Sequence, residues 1–522
     1  MNNRVLSISL ELAPLDVLQA VGAPSDLTAE ETSVVNNFTP SVAVPPPNLV
    51  VASVSNGPEG IVADDVAIRL TSEFRIDLPR RLRRAHATGK AGEVVKVELE
   101  DDTTASLIVL GLGDGSPSEA RISGAKLAAN LGSAGNVLCS VSATMNSSAL
   151  AAFCEGLLLA SYSFSRKSRP PEIQRVVVRL AVASVASAQP IVNAAVATAN
   201  AVVRARNLAN RPSNEKSPQI IADEASKLAA QSKLRVRVLD EIALEKVGFG
   251  GLLAVGMGSA RPPRLVFLEH KGMPGASRVI LIGKGITFDS GGLSLKPAEG
   301  MPLMKTDMSG AATVLSVMGA LADLGITANV VAMLALAENM PSGSAYRPGD
   351  VVTHFGGRTS EVVNTDAEGR MVLADCLAYA SARLNADIII DIATLTGAAS
   401  VGLSRKFGAL YAADDDLANQ LVEAGEVTND RLWRMPLVEE YRSSLDSSIA
   451  DVTHVTGPGV GGGSITAALF LREFVGQANW AHLDIAGPAR AEASANEITK
   501  GATGFGVRLL LRWLADTPSA VV

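Results

Sequence analysis

Apolar positions along this chain follow two spacings in turn, that of a buried strand and that of a helix. In the first part, Ser106–Leu112, Val137–Val141 and the valine-rich Ile173–Val182 are short apolar runs that predict strands. Between them, Ser118–Leu131 and Ser147–Leu159 carry the helical period. The alternation resumes further on. Strands are predicted at Leu234–Val238, Arg264–Leu268, Val279–Gly283, Val330–Ala337, Ile388–Ile392 and Ala481–Ile485, and helices at Ser309–Leu324, Met371–Leu384 and Ser464–Phe474. Val351–His354 and Ser360–Val363 flank Gly356-Gly357 and predict a hairpin. A helical segment from Ala186 to Leu208 links the two parts and stops at the breaker and cap cluster Asn210-Arg-Pro-Ser-Asn214. The stretch 35–60, rich in Pro, Asn, Val and Gly, reads as irregular surface or an insertion.

This pattern predicts an α/β protein. A smaller N-terminal α/β domain, residues 1–184, is joined by a helix to a larger C-terminal domain within residues 185–522, whose mostly parallel central sheet is flanked by helices. The 522 residues suit such a division. Aromatic residues make up only 4% of a chain that is 47% hydrophobic, so Ala, Val, Leu and Gly must fill the interior, as helices packed on a parallel sheet allow. The formal net charge of −7 argues against nucleic-acid binding through bulk electrostatics. Cys139, Cys154 and Cys376 are too few and too scattered for a disulfide framework or a thiolate zinc site, which points to a reducing compartment. Glu11 interrupts the N-terminus before any long apolar stretch, so no secretory signal is expected, and the Ala-rich run from Leu180 to Val203 is broken by Gln189, Pro190, Asn193 and Asn200. The expectation is a cytoplasmic protein without a membrane span.

Chemistry concentrates in two acidic loops. Asn364-Thr-Asp-Ala-Glu-Gly-Arg370 places Asp366, Glu368 and Arg370 at alternate positions, which in an extended strand share one side. Carboxylates so placed repel unless a cation lies between them. The helical pattern from Met371 would aim its first N–H groups back at this loop and favour an anion there. Upstream, Leu281-Ile-Gly-Lys-Gly-Ile-Thr-Phe-Asp-Ser-Gly-Gly292 leaves an apolar run for a glycine-rich loop, and Met304-Lys-Thr-Asp-Met-Ser-Gly310 follows. Oxygen donors from Asp289, Asp307, Asp366 and Glu368 could hold two divalent ions. Such a pair can activate a water and polarise a carbonyl. Lys284, at the end of an apolar run, would have its pKa lowered by burial and further by a nearby cation, and as a neutral amine could then bind a metal; Lys296 reads as a donor to a developing oxyanion.

Each residue also has a plainer reading. Asp289 suits a turn beside glycine, Asp307 and Asp366 or Glu368 suit helix caps, and Lys284 and Lys296 suit solvated charges. Only their combination favours a site. Arg80-Arg-Leu-Arg-Arg84 reads as a solvated helix face. His86, His270, His354, His454 and His482 show no metal-ligand spacing and read as structural or surface residues, His482 within a buried strand. Gly457-Pro-Gly-Val-Gly-Gly-Gly463 lacks the lysine of a phosphate loop, and Gly111-Leu-Gly-Asp-Gly115 does not complete a dinucleotide fingerprint.

The two acidic loops resemble those of the leucyl aminopeptidase (cytosol aminopeptidase) family in order, spacing and residue type. The resemblance continues through Ala393-Thr-Leu-Thr-Gly-Ala398 and Trp480-Ala-His-Leu-Asp-Ile-Ala-Gly487 and covers roughly the last three-fifths of the chain. It implies a metallo-exopeptidase that releases N-terminal residues, leucine and other apolar ones, from short peptides. By the resemblance, Lys284, Asp289, Asp307 and Glu368 bind one metal, and Asp289, Asp366 and Glu368 bind the other, with Asp289 and Glu368 bridging. The ions would be zinc, or manganese or cobalt at an exchangeable site, and would activate a bridging water. Arg370 would hold a bicarbonate acting as general base, and Lys296 would stabilise the tetrahedral intermediate. The substrate's free α-amine would ligate a metal, which excludes acylated N-termini. Met304, Thr394, Leu395, Gly397, Ala486 and Ala489 correspond to the substrate cleft, where Ala489 replaces a bulkier residue of some members and widens the first pocket. The resemblance also implies a homohexamer, with residues 1–184 expected to serve oligomer contacts. Two other classes stand beside this one: a two-metal phosphoesterase, which the lysine ligand at Lys284 disfavours, and an additional nucleic-acid- or partner-binding role, which the acidic balance disfavours.

Overall fold

The computed structural model describes residues 4–14, 49–57, 60–63, 67–68, 76–97, 106–457 and 459–517. By its internal contacts the chain divides into two compact units, Met1–Ala199 with Ser494–Thr499, and Asn200–Ala493 with Lys500–Val522. The division falls within the long helix Val185–Asn210.

In the first unit, strands pair in the order Arg4–Pro14, Glu172–Val182, Asn136–Cys139, Leu49–Gly57, Ser106–Gly111 and Val94–Val97, with Gly60–Ala63 added on Leu49–Gly57. The first five are mutually parallel. One correction to the sequence reading lies here. Residues 35–48 fall outside the described part, but Leu49–Gly57 is an inner strand and not irregular surface. Its run Leu-Val-Val-Ala-Ser-Val packs on both sides. Leu49 and Val51 join one buried cluster, and Val50, Ala52 and Val54 join another. The preceding prolines masked that strand signal. The helices Pro117–Asn130 and Ser147–Ala160 match the sequence pattern, each opened by a side-chain cap, from Ser116 and Asn146. The basic run lies on helix Leu78–Arg84, where Leu78 and Leu82 are buried and Arg80, Arg83 and Arg84 are exposed.

The second unit is built on an eight-stranded sheet in the order Leu432–Arg434, Gly408–Ala412, Asn479–Asp484, Ile388–Ala393, Arg278–Asp289, Asn329–Asn339, Arg264–His270 and Arg235–Leu239. The four central strands, from Asn479–Asp484 to Asn329–Asn339, run parallel, and their flanking neighbours are antiparallel. Residues of the central strands are almost wholly buried, as a sheet covered on both faces requires. Ile280 and Ile282 pack into a cluster with Met371, Leu373 and Leu377 of helix Glu368–Arg383. The opposite face meets helix Ser309–Met318. The predicted hairpin forms from Val351–Thr353 and Thr359–Glu361, and Val452–Thr453 adds a third strand to it. Strand Gly408–Ala412 and helices Pro218–Gln231, Asp415–Thr428 and Val507–Asp516 were not anticipated. All three cysteines are free and buried, and among the described residues no helix is long and apolar enough to cross a membrane.

Helix Ser309–Met318 approaches the sheet so closely that a Cβ on Gly310 would stand 2.0 Å from the Ile392 carbonyl oxygen and 2.9 Å from the Lys284 nitrogen. That contact sets the distance between the segment that carries Asp307, just before the helix, and the strand that carries Lys284. Gly310→Ala is therefore expected to destabilise this unit by about 2 kcal/mol through overpacking, read as a lower urea midpoint at unchanged slope.

Candidate active site

The central parallel strands end on one side of the sheet, and the loops that leave them enclose a cavity of about 380 Å³. Strand Arg278–Asp289 extends six residues beyond the predicted end at Gly283, so Lys284 sits inside the strand and Asp289 at its exit. Lys284, Asp289, Lys296, Met304, Asp307, Asp366, Glu368, Thr394, Leu395, Gly397, Ala486 and Ala489 all line this cavity. Arg370 does not appear on its wall; it is buried behind, donating from Nη1 to the His454 carbonyl at 2.7 Å. A larger cavity of about 530 Å³ in the N-terminal unit, between Val5, Ala128, Tyr162 and Gln174, has no carboxylate, amine or histidine on its wall.

Two lysines and four carboxylates form the centre. Lys284 donates to Asp307 Oδ1 at 3.0 Å and to the Thr394 carbonyl at 2.8 Å, and its Nζ also lies 2.8 Å from Glu368 Oε1 and 2.9 Å from Asp307 Oδ2. Lys296 pairs with Asp289 Oδ2 at 2.8 Å and with Asp366. Asp289 Oδ1 accepts from the Gly291 N–H and from Asn339 Nδ2. The capping alternatives do not hold: neither helix Ser309–Met318 nor helix Glu368–Arg383 has a side-chain cap, because Asp307 and Glu368 turn to Lys284 instead. One further expectation needs correction. The loop at 364–367 is a turn, closed by the Ala367 N–H on the Asn364 carbonyl, and the helix starts at Glu368 rather than Met371. Asp366 and Glu368 therefore meet through a turn and a helix start, not through strand alternation. Burial pulls the Lys284 pKa down most strongly, but the carboxylates of Asp307, Glu368 and Asp289 outweigh that and raise it; a cation among them would act in the opposite direction.

The balance of charge at this point is unfavourable. Burial raises Asp307, Asp289 and Asp366, with Glu368 adding to the first two and Asp289 to the third. Asp307 Oδ2, Asp366 Oδ1 and Glu368 Oε1 each meet only a lysine ammonium, and each ammonium is shared between two carboxylates, Lys284 between Asp307 and Glu368 and Lys296 between Asp289 and Asp366. One oxygen each from Asp289, Asp366 and Glu368 lie within 4.8 Å of one another. Converging hard oxygens with unmet demand fit divalent cations.

Several residues that the sequence reading left without a role hold this centre in place. Asn339 bridges Asp289 and the Thr365 carbonyl, and Tyr346 donates its hydroxyl to that same carbonyl at 2.8 Å. Thr365 donates to the Gly291 carbonyl, and Ser294 N–H donates to Thr365, tying the two acidic loops together. Asp484 accepts from the N–H groups of Leu395, Thr396 and Ala486, fixing the cleft loops. The only sequence signal was their position at strand exits. A different arrangement, Asp375 to His354 at 3.1 Å and His354 to Ser360 at 2.7 Å, has the connectivity of a nucleophilic triad, but all three are fully buried and none lines this cavity. Its role is packing.

Comparison with known proteins places this geometry. Residues 203–511 match the catalytic domain, and residues 53–170 the N-terminal domain, of the cytosol aminopeptidase family. The chain belongs to the cytosol aminopeptidase family. It is a metal-dependent aminopeptidase, a hydrolase that acts on peptides from the N-terminus, and the phosphoesterase alternative is not favoured. A probable cytosol aminopeptidase of Brucella ovis is 41% identical over 492 residues, 91% of this chain and 97% of the relative. One from Roseiflexus castenholzii is 47% identical over 378 residues, 71% of this chain and 77% of the relative. Among solved structures, the bottromycin maturation enzyme BotP in complex with Mn superposes with a TM-score of 0.79 at 35% identity, over 90% of this chain and 99% of that one. A mutant of tomato leucine aminopeptidase gives 0.78 at 32% identity, over 90% and 93%.

His454 holds both ends of the acidic loop, its ring bonded to the Asn364 carbonyl at 2.8 Å and its carbonyl to Arg370. Nδ1 lies 2.9 Å from the Glu361 carbonyl and 3.2 Å from the Val363 nitrogen, so the ring is bonded at both nitrogens. Burial, then Arg370, brings its pKa down to about 4. Unfolded, the ring takes a proton near pH 6.5. Between those values only the unfolded state is protonated, so stability falls as pH drops from 6.5 to about 4, by roughly 3 kcal/mol. His454→Gln is expected to remove that component, read as a shallower dependence of the urea midpoint on pH over this window.

Proposed function

We propose that this aminopeptidase releases leucine and other apolar N-terminal residues from short peptides through a site that holds two divalent ions. The observation that carries this reading is the set of buried carboxylates whose negative charge two ammonium groups do not balance. Lys284, as the neutral amine that a neighbouring cation favours, would hold one ion together with Asp289, Asp307 and Glu368, and Asp289, Asp366 and Glu368 would hold the other, with Asp289 and Glu368 shared. Zinc is the expected ion, and manganese or cobalt could replace it at one position. Bound there, the ions would supply polarisation of a carbonyl and a water of lowered pKa.

The chain's own residues do the rest. Lys296 keeps its proton at neutral pH: burial alone would lower its pKa, but Asp289 and Glu368 raise it further than burial lowers it. Its ammonium, at the cavity wall, would meet the oxyanion that develops on the substrate carbonyl. Arg370 is buried with its Nε unpartnered, and burial lowers its pKa only to about 10, so it stays charged. That free donor would hold a bicarbonate able to take the proton of the attacking water. Met304, Thr394, Leu395, Gly397, Ala486 and Ala489 would contact the N-terminal residue of the substrate, and the small Ala489 leaves room for side chains larger or smaller than leucine. We read the chain further as a cytoplasmic homohexamer, in which the domain of residues 1–184 serves subunit contacts.

Removal of metal with a chelator is expected to abolish hydrolysis of an unblocked leucyl amide, and full activity after verified removal would reject the reading. Asp366→Ala should lose metal and activity together, as measured by metal analysis of the purified variant. Lys296→Ala should retain metal but lose rate by about 100-fold; a near-normal kcat would remove Lys296 from the chemistry.

A further inference from the structure

The cavity wall carries two more cations, Arg405 and Arg490, which none of the roles above uses. They arrive from separate segments. Arg405 follows helix Gly397–Leu403, and Arg490 opens the short strand Arg490–Ala491, which pairs with Gly501–Ala502. Both positions are held. Ser404, just before Arg405, has φ +60° and ψ −153°, a conformation of order 1–3 kcal/mol above the usual ones for a residue with a side chain. Its carbonyl presses on Gly487, where a Cβ would stand only 2.2 Å away. The loop carrying Arg405 is thus seated on the segment that leads through Ala489 to Arg490.

The two guanidinium groups converge on a single carboxylate. Arg405 Nη2 lies 2.9 Å, and Arg490 Nη2 3.9 Å, from the same oxygen of Glu492. Glu492 is itself 67% exposed, whereas the Arg490 side chain is only 18% exposed. Set against Glu492 alone, Arg405 and Arg490 leave one positive charge at this edge of the cavity, beside Ala486 and Ala489, on side chains that the central carboxylates, paired with Lys284 and Lys296, do not engage. A planar guanidinium pair matches a carboxylate in two-point geometry, which an apolar pocket for leucine does not need.

We propose that Arg405 and Arg490 form a carboxylate-binding subsite of the peptide cleft, and that this enzyme favours substrates that bring a carboxylate to it. The proposal rests on the aminopeptidase reading of the adjacent site. A peptide can offer this group in two ways, as the side chain of an N-terminal glutamate or aspartate, or as the free C-terminus of a dipeptide. Glu492 is the group that such a carboxylate would displace.

The test compares isosteric pairs on the metal-loaded enzyme: glutamyl against glutaminyl p-nitroanilide, and leucylglycine against leucylglycinamide. Leucyl p-nitroanilide is run alongside, and its failure to react would sink the aminopeptidase reading itself, a result distinct from any ratio. A kcat/KM ratio of acid to neutral partner of about tenfold or more in the first pair assigns the subsite to the N-terminal side chain, and in the second pair to the C-terminus. Arg405→Met with Arg490→Met should then lower that ratio at least tenfold, while Arg490→Lys, which keeps the charge, should preserve part of it. Added salt should shrink the wild-type ratio. Ratios at or below one in both pairs for the wild-type enzyme overturn the proposal, whatever the variants do.

Discussion

Four carboxylates buried around two lysines, where parallel strands end, are the constraint on which the rest of the catalytic unit depends. Charges out of water are costly unless paired, and here pairing is incomplete: four carboxylates share two ammonium groups. A fold tolerates such a cluster only if the cluster supplies something else. In the proposed function that something is the holding of cations, in keeping with the metal dependence of the family to which the chain belongs.

Keeping these groups close falls to neutral residues. Thr365 and Asn339 bond the two acidic loops to each other, and Tyr346 and His454 hold the second by its Thr365 and Asn364 carbonyls. Helix Ser309–Met318 contributes from the other side, because Gly310 lets it lie against the sheet at Lys284 and Ile392. Rigid elements thus set the spacing, and loops provide the donors. Burial keeps the His454 ring neutral, so at neutral pH it holds one loop end without adding charge to the centre.

The same cavity separates two kinds of recognition. One wall has small residues, Ala486 and Ala489, suited to apolar side chains; beside them stand Arg405 and Arg490, paired with the exposed Glu492. Elsewhere, the buried chain of Asp375, His354 and Ser360 shows that catalytic connectivity without access does no chemistry.

Much was legible in the order of residues. Strands such as Ser106–Gly111 and Ile388–Ala393 announce themselves because burial on both faces demands continuous apolar runs, and the two acidic loops stand out because carboxylates crowd there beside glycine. Leu49–Gly57 was hidden by its proline-rich approach. Side-chain direction was beyond reach: alternation suggested a strand for Asp366 and Glu368, whereas a turn and a helix start bring them together. So was the pKa of Lys284, since burial alone lowers it and only the folded chain shows how many carboxylates surround it. Local spacing is written along one dimension; net charge, hydrogen-bond partners and the meeting of Arg405 with Arg490 depend on segments far apart in sequence, which only packing brings within a few ångströms.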